Sequence, residues 1–361
     1  MWKAFRAIRF SVVGVCLVSI VVVMAGCTEA LTPIAAVEHG NVTPDQMAAA
    51  DAGDTPPVEC ITLYFFVPSE NAEPGTFVST WESPDSAIAA DVNGNVYVAG
   101  HQISSTTANV EFFDGIRKFD GNGALLAKWD TSGSGDGKFR MANDIAVDST
   151  GNIYIADQDL HGIQKLDANG NFVTKWGSHG SGNGQFWGSP SGLAVDSEGI
   201  VYATNLNHIQ KFDANGTFLS KWNLSYDPYG VAVDIEGNVY TTDPADYKIH
   251  KHDANGALLA TWGSKGSGDG QFEYGGPRDL AVDILGNVFV FDNRNYRIQK
   301  FDKDGHFIAK WGSVGRGDGQ FGSGYHDGWD YGMSGGVTVG LGVVYVLDAK
   351  NHRVQKFCGG L

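Results

Sequence analysis

Six tryptophans punctuate this chain, Trp81, Trp129, Trp176, Trp222, Trp262 and Trp311, at intervals of 48, 47, 46, 40 and 49 residues. Each closes a similar phrase. The clearest copy runs Pro190-Ser-Gly-Leu-Ala-Val-Asp196, Gly199-Ile-Val-Tyr202, Ile209-Gln-Lys-Phe-Asp213 and Gly216-Thr-Phe-Leu-Ser-Lys-Trp222. A unit of that length, built of short apolar segments, cannot bury its own faces and must stack on its neighbours.

Each unit reads as four strands. Ile145–Val147, Ile153–Ala156, Ile163–Leu166 and Phe172–Trp176 are separated by Asp148-Ser-Thr-Gly-Asn152 and Asp167-Ala-Asn-Gly170, which are turn sequences. Both faces of Ile153-Tyr-Ile-Ala156 are apolar, as a strand sandwiched between stacked sheets requires. Phe218 and Trp222 share one face of the last strand and would meet the next sheet. The turn Asp recurs as Asp91, Asp148, Asp196, Asp234 and Asp283, becoming Gly340 in the last copy. The 49 glycines suit many tight turns and argue against long helices.

The ends of the repeat complement each other. The first copy is only a fourth strand, Gly75-Thr-Phe-Val-Ser-Thr-Trp81, and the last has three strands ending at Phe357. The expected fold is all-β: a six-bladed β-propeller of four-stranded antiparallel blades, with an N-terminal strand completing the C-terminal blade. Ile61–Val67 is a further β-like run that this scheme does not place.

Before the repeat lies a targeting segment. Lys3, Arg6 and Arg9 precede an apolar run, Ser11 to Gly26, too short for a spanning helix and ending Val23-Met-Ala-Gly-Cys27. The small residues before Cys27 resemble a prokaryotic lipobox, with Met24 where leucine is usual. Residues 1–26 are therefore expected to be a lipoprotein signal peptide, and Cys27 to carry the lipid that holds the protein on the extracytoplasmic face of a membrane. Simple signal cleavage is the alternative. Residues 27–60 read as a disordered tether, and 61–361 as the propeller. An oxidising compartment permits a bridge between Cys60 and Cys358; the alternative is two separate thiols. A mature chain starting at Cys27 has 22 basic against 41 acidic residues, a net charge of −19 that disfavours nucleic acid as a partner.

At the last repeat the likeness becomes specific. Asn351-His352-Arg353-Val-Gln-Lys-Phe357 resembles the signature that names NHL repeats. Trp262-Gly-Ser-Lys-Gly-Ser-Gly-Asp-Gly-Gln-Phe272 and its copy Trp311–Phe321 resemble the glycine-rich connectors of prokaryotic NHL proteins. The resemblance spans roughly residues 75–357. Proteins of this kind include a kinase sensor domain, an RNA-binding domain and an amidating lyase, so the fold does not set the function. The lyase holds zinc with channel histidines, and the corresponding positions here contain none.

The long loops fall on one face, the expected binding face. Four residues before each turn Asp stand Ala87, Asp144, Gly192, Gly230, Asp279 and Gly336, near the mouth of the central channel. Asp144 and Asp279 are three blades apart, hence opposite, with Asn143 and Arg278 beside them and Tyr229 next to Gly230. They would bind a divalent cation or an amine, or simply accept loop N–H groups. Tyr325, His326, Trp329 and Tyr331 in the insertion Gly322–Gly332 would offer rigid aromatic contact area. Asp292/Arg297 and Asp348/Arg353 are expected ion pairs, with Asp243/Lys248 a weaker version; Gly115, Gly162 and His208 replace the base elsewhere. Gly-x-Ser-x-Gly, His-Glu-x-x-His and Cys-x-x-Cys are absent. The expected role is a monomeric binding module for a protein, peptide or glycan, without a resident cofactor; a metal-assisted lyase or hydrolase at the channel mouth is the alternative.

Overall fold

The computed structural model describes residues 73–82, 86–105, 110–131, 133, 135–139, 141–322 and 335–360, with 101–114 as backbone only, together with the backbone of Val18–Ala25 and Ile61–Pro68. Six four-stranded antiparallel sheets form in it. Their first strands are Ala87–Ala90, Ala142–Val147, Gly192–Val195, Val231–Val233, Pro277–Val282 and Gly336–Gly340. Consecutive first strands are neighbours, and that of blade 6 returns to that of blade 1, so they close a ring around a central channel. The chain is a six-bladed propeller.

The closure follows the expected scheme. Phe77–Glu82 is the outer strand of blade 6, antiparallel to Arg353–Cys358, with Phe77 opposite Phe357 and Trp81 opposite Val354. Ile61–Pro68 pairs instead with Val18–Ala25 in a separate two-stranded ladder.

Burial explains the strand sequences. Ile153–Asp157, Val201–Asn205, Val239–Asp243 and Val288–Asp292 are buried at every position, since a neighbouring blade covers each face. The outer strands alternate, as in Phe307–Trp311, because their second face meets water. Each closing tryptophan reaches the next blade. The Trp176 ring lies over Gly216, where φ is +87° and an added Cβ would stand 2.5 Å from the indole. Trp311 meets Gly75 of blade 6 in the same way. Only glycine satisfies both the left-handed backbone and the indole.

The turn aspartates are structural. Asp148 Oδ1 accepts the N–H groups of Thr150 and Asn152 at 2.9 and 3.0 Å, and Oδ2 accepts Asn152 Nδ2 and the Tyr154 hydroxyl at 2.8 and 3.1 Å. Burial opposes ionisation of Asp148, but these bonds outweigh it and hold the carboxyl below its usual range. Asp91 and Asp234 repeat the arrangement.

The lysine of Gln-Lys-Phe is buried, not solvated. Lys300 Nζ lies 5.4 Å from the Phe289 ring centre and donates to the carbonyls of Gly359 and Gly360 at 3.1 and 3.0 Å. Lys165, Lys211 and Lys356 likewise donate to carbonyls of the following blade. A charge-assisted bond thus crosses most blade seams.

Candidate functional site

The first strands bring Asp144 and Asp279 to opposite sides of the channel, which encloses about 150 Å³ and is otherwise walled by aliphatic residues such as Ile88, Leu193, Val231 and Val337. Each carboxylate spans a seam. Asp144 Oδ1 accepts the N–H of Ile145 at 2.8 Å, and its Oδ2 accepts that of Leu193 in blade 3 at 2.7 Å. Asp279 repeats this with Leu280 and, in blade 6, Val337, both at 2.8 Å. The glycines beside Asp279 leave its carboxylate close quarters. A Cβ on Gly336 would stand 3.0 Å from Asp279 Oδ2, and one on Gly230 3.2 Å from Oδ1.

Two accepted N–H groups do not offset the loss of water around these carboxylates. Both keep some accessible surface because they line the channel, yet the ring encloses them on all sides. Desolvation raises Asp144 well above the carboxylate range, with repulsion from Asp279 adding to it. Desolvation likewise pushes Asp279 up to about 6. Carboxylates that repel each other across a channel resist ionising together, and a cation between them would relieve that repulsion.

This geometry has a consequence for stability. Folding favours the protonated form of Asp279, so its contribution is complete below the ordinary carboxylate range and is lost as pH rises through about 6. Thermal melts from pH 5 to 8 should show the unaltered protein losing a few degrees across that window, on the order of 1–1.5 kcal/mol. Asp279→Asn should flatten the slope; an unchanged slope would refute the coupling.

The neighbours of the pair divide. Asn143 Nδ2 donates to Ser189 Oγ at 2.6 Å and the Pro190 carbonyl at 3.0 Å, tying blade 2 to the entry of blade 3. The Arg278 guanidinium lies 4.7 Å from the centre of the exposed Tyr229 ring. Tyr325, His326, Trp329 and Tyr331 lie outside the described residues, as do Cys27 and Cys60. Cys358 is buried and disulfide-bonded.

Two aromatics escaped the sequence reading. Trp187 and Tyr274 are 57% and 69% exposed, and with Tyr229 they are the exposed aromatics among the described residues. All three sit on connectors entering a first strand, on the channel-mouth face. Trp187 and Tyr274 follow the buried connector residues Phe186 and Phe272 by one and two positions, a spacing that could have revealed them.

The ion pairs are partly as expected. Arg297 Nε meets Asp292 Oδ2 at 2.7 Å, and Arg353 Nε meets Asp348 Oδ2 at 2.9 Å. In blade 4 Asp243 faces His250 Nε2 at 3.6 Å in place of Lys248. The connector into this blade is short, and Tyr226 stacks on His250 at 4.1 Å while its hydroxyl meets His252 Nε2 at 2.9 Å. His250 and His252 stand where most other copies have Gln and Phe or Leu, and both meet that tyrosine. Among the described residues no group of three or more His, Cys, Asp or Glu is placed to hold a metal.

An all-β ring of six blades with a narrow acid-bearing channel defines a six-bladed β-propeller. Residues 335–357 match the NHL repeat model. No curated protein matches the chain significantly. Among solved structures, a streptogramin B lyase aligns with TM-score 0.50 and 16% identity over 77% of this chain and 96% of its own. Virginiamycin B lyase from Staphylococcus aureus gives 0.50 and 9%, over 78% and 98%. A protein of unknown function from Bacteroides thetaiotaomicron gives 0.54 and 16%, over 78% and 71%. At these identities the likeness is one of fold.

Proposed function

We propose that this propeller is a binding module, held extracytoplasmically on a membrane by lipid at Cys27, that takes a protein, peptide or glycan on its channel-mouth face. One observation carries the reading: the exposed aromatics among the described residues, Trp187, Tyr229 and Tyr274, all lie on that face. Rigid aromatic side chains on a stiff scaffold give contact area at low entropic cost. Arg278 over Tyr229 adds a cation to the patch, and the channel acids a counter-charge. On the opposite face the turn aspartates are consumed by their own backbone and amide partners. A tether entering before Phe77 reaches that opposite face, leaving the aromatic face outward.

Capture of partners from the native envelope tests the reading. Tyr229→Ala with Tyr274→Ala should reduce capture about tenfold, the effect of losing one or two interface anchors. Val92→Ala with Leu285→Ala, at exposed positions on the other face, should leave it unchanged. Equal capture by all three proteins would refute it. The second reading, a lyase or hydrolase with a metal between Asp144 and Asp279, rests on that facing pair; stoichiometric tightly bound metal in the purified protein would favour it.

A further inference from the structure

Blade 3 differs from blades 5 and 6 at the Arg–Asp pair beside its connector and from blades 2 and 5 at a connector acid, and the three changes together open a pocket. In blade 5 the Arg297 guanidinium fills the space between blade and connector, donating to the carbonyls of Ser267, Gly268 and Gln271 at 2.8 Å while Nε meets Asp292. Arg353 and Asp348 do the same in blade 6. The corresponding residues of blade 3 are His208 and Asn205. The imidazole is too short to reach the connector. In its place is a pocket of about 260 Å³ on the outer rim of the channel-mouth face, lined by Ser181, Trp187, Asn207, His208, Lys221 and Asn223, with Leu206 at its edge.

The third change concerns charge. In blades 2 and 5 the lysine of the outer strand meets a connector acid: Lys175 with Asp136 at 2.8 Å and Lys310 with Asp269 at 2.5 Å. The connector into blade 3 has Asn183 where they have the acid. Lys221 Nζ donates to the Ser181 carbonyl at 3.1 Å instead. Two carboxylates have thus become amides around one retained cation, in a protein of strongly acidic composition. The His208 ring at the floor is buried, 7% exposed, and its Nε2 has no hydrogen-bond partner. Burial, and then the nearby Lys221, hold it below the usual histidine range, so Lys221 is the pocket's charge near neutrality. Asn205 Oδ1 accepts the Trp187 N–H at 2.9 Å, and its Nδ2 donates to the Ser189 carbonyl at 2.8 Å, which fixes the backbone beneath the indole.

We infer that this pocket binds a single hydroxylated ring bearing one carboxylate, an acidic sugar of the uronate type. The exposed Trp187 indole supplies a flat apolar platform for a pyranose face. Lys221 supplies the charge that a carboxylate would neutralise, and the amides of Asn207 and Asn223 supply donors and acceptors for hydroxyls. The volume lies just below the range of drug-sized sites and suits one ring. A cationic ligand is disfavoured, because the acids that would meet it are the ones replaced. The pocket is separate from the channel mouth.

Titration calorimetry of the full chain with D-glucuronate, D-galacturonate and D-glucose tests the inference. A uronate should bind about tenfold more tightly than glucose, the value of one charge-assisted contact. Lys221→Gln should erase that difference. His208→Arg, which leaves the Asn205 bonds beneath the indole in place, puts a guanidinium where blades 5 and 6 have theirs, so it should abolish sugar binding while thermal melts show the chain still folds cooperatively. Absence of uronate binding, equal affinity for glucose, or undiminished uronate binding in the filled variant each overturns the proposal. Loss of partner capture on Tyr229 and Tyr274 substitution leaves this titration standing, and the converse also holds.

Discussion

Gly216→Ala is expected to destabilise the propeller by about 3–4 kcal/mol, while Gly199→Ala, on the same face of the same blade, costs only about 1 kcal/mol. The two glycines have nearly equal left-handed backbones, φ +87° and +82°, so the conformational penalty is common to both. They differ in what a methyl group would touch. At Gly199 the nearest atom is the Ala214 Cβ at 3.5 Å, an ordinary contact. At Gly216 it is the Trp176 ring at 2.5 Å, which must move out of its place against Phe212, 5.9 Å away centre to centre, and Tyr154, 6.3 Å away. The indole cannot shift without opening the seam between blades 2 and 3. Thermal melts should show a drop of roughly 6–15 °C against roughly 2–4 °C. Adding Trp176→Leu to Gly216→Ala should recover part of the loss, as coupled neighbours do. Equal costs at the two glycines would show that the Trp-to-Gly contact contributes nothing across the seam.

The tryptophan's side of that contact was legible in the sequence as an aromatic face meeting the next blade, while its glycine partner was read only as a turn residue. A tryptophan closes each unit and a glycine stands in the turn of the next, so the period and the packing face could be read together. The placement of Asp144 and Asp279 on opposite sides was legible for a similar reason, since three blades of six make half a turn. What each carboxylate does was not. Its second partner is the backbone N–H of the next blade, Leu193 or Val337, and a backbone group leaves no mark in the sequence. The buried lysines were hidden in the same way, since Lys300 ends on the carbonyls of Gly359 and Gly360. The expected Asp243/Lys248 pair failed because a shortened connector lets Tyr226 reorganise blade 4 around His250, an effect of loop length and not of the two residues themselves. The blade-3 pocket was visible only as three separate replacements; that they enclose one space required the ring.

A chain beginning at residue 83 is expected to lose monomeric folding, while one beginning at residue 73 keeps it. The ten residues between them carry the seal. Phe77–Glu82 supplies a full antiparallel ladder to Arg353–Cys358, extended by Gly75 N–H to the Cys358 carbonyl and Cys358 N–H to the Thr76 carbonyl, both 2.9 Å, and by the Thr80 hydroxyl to the Val354 carbonyl at 2.8 Å. The Phe77 ring meets Phe357 at 5.9 Å, and the Trp81 indole lies against Tyr345 at 6.1 Å and Phe119 of blade 1 at 6.0 Å. Burial of two aromatics at about 1.5–3 kcal/mol each, with several hydrogen bonds at about 1 kcal/mol, gives roughly 7–10 kcal/mol. That is comparable to the whole stability of an ordinary domain, about 5–15 kcal/mol. The cost is also topological. Without the strand, Arg353–Cys358 becomes a bare edge of unpaired backbone groups open to pairing with another chain, so oligomers should replace the monomer. Light scattering and thermal melts read both effects. A peptide of residues 73–85 added in trans should restore a cooperative melt, because the ring lacks only that strand. If the chain from residue 83 is instead monomeric and melts within about two degrees of the longer one, less than 1 kcal/mol lies in the closing strand. The ring would then be held by its other five seams, and blade 6 would be closed by packing alone.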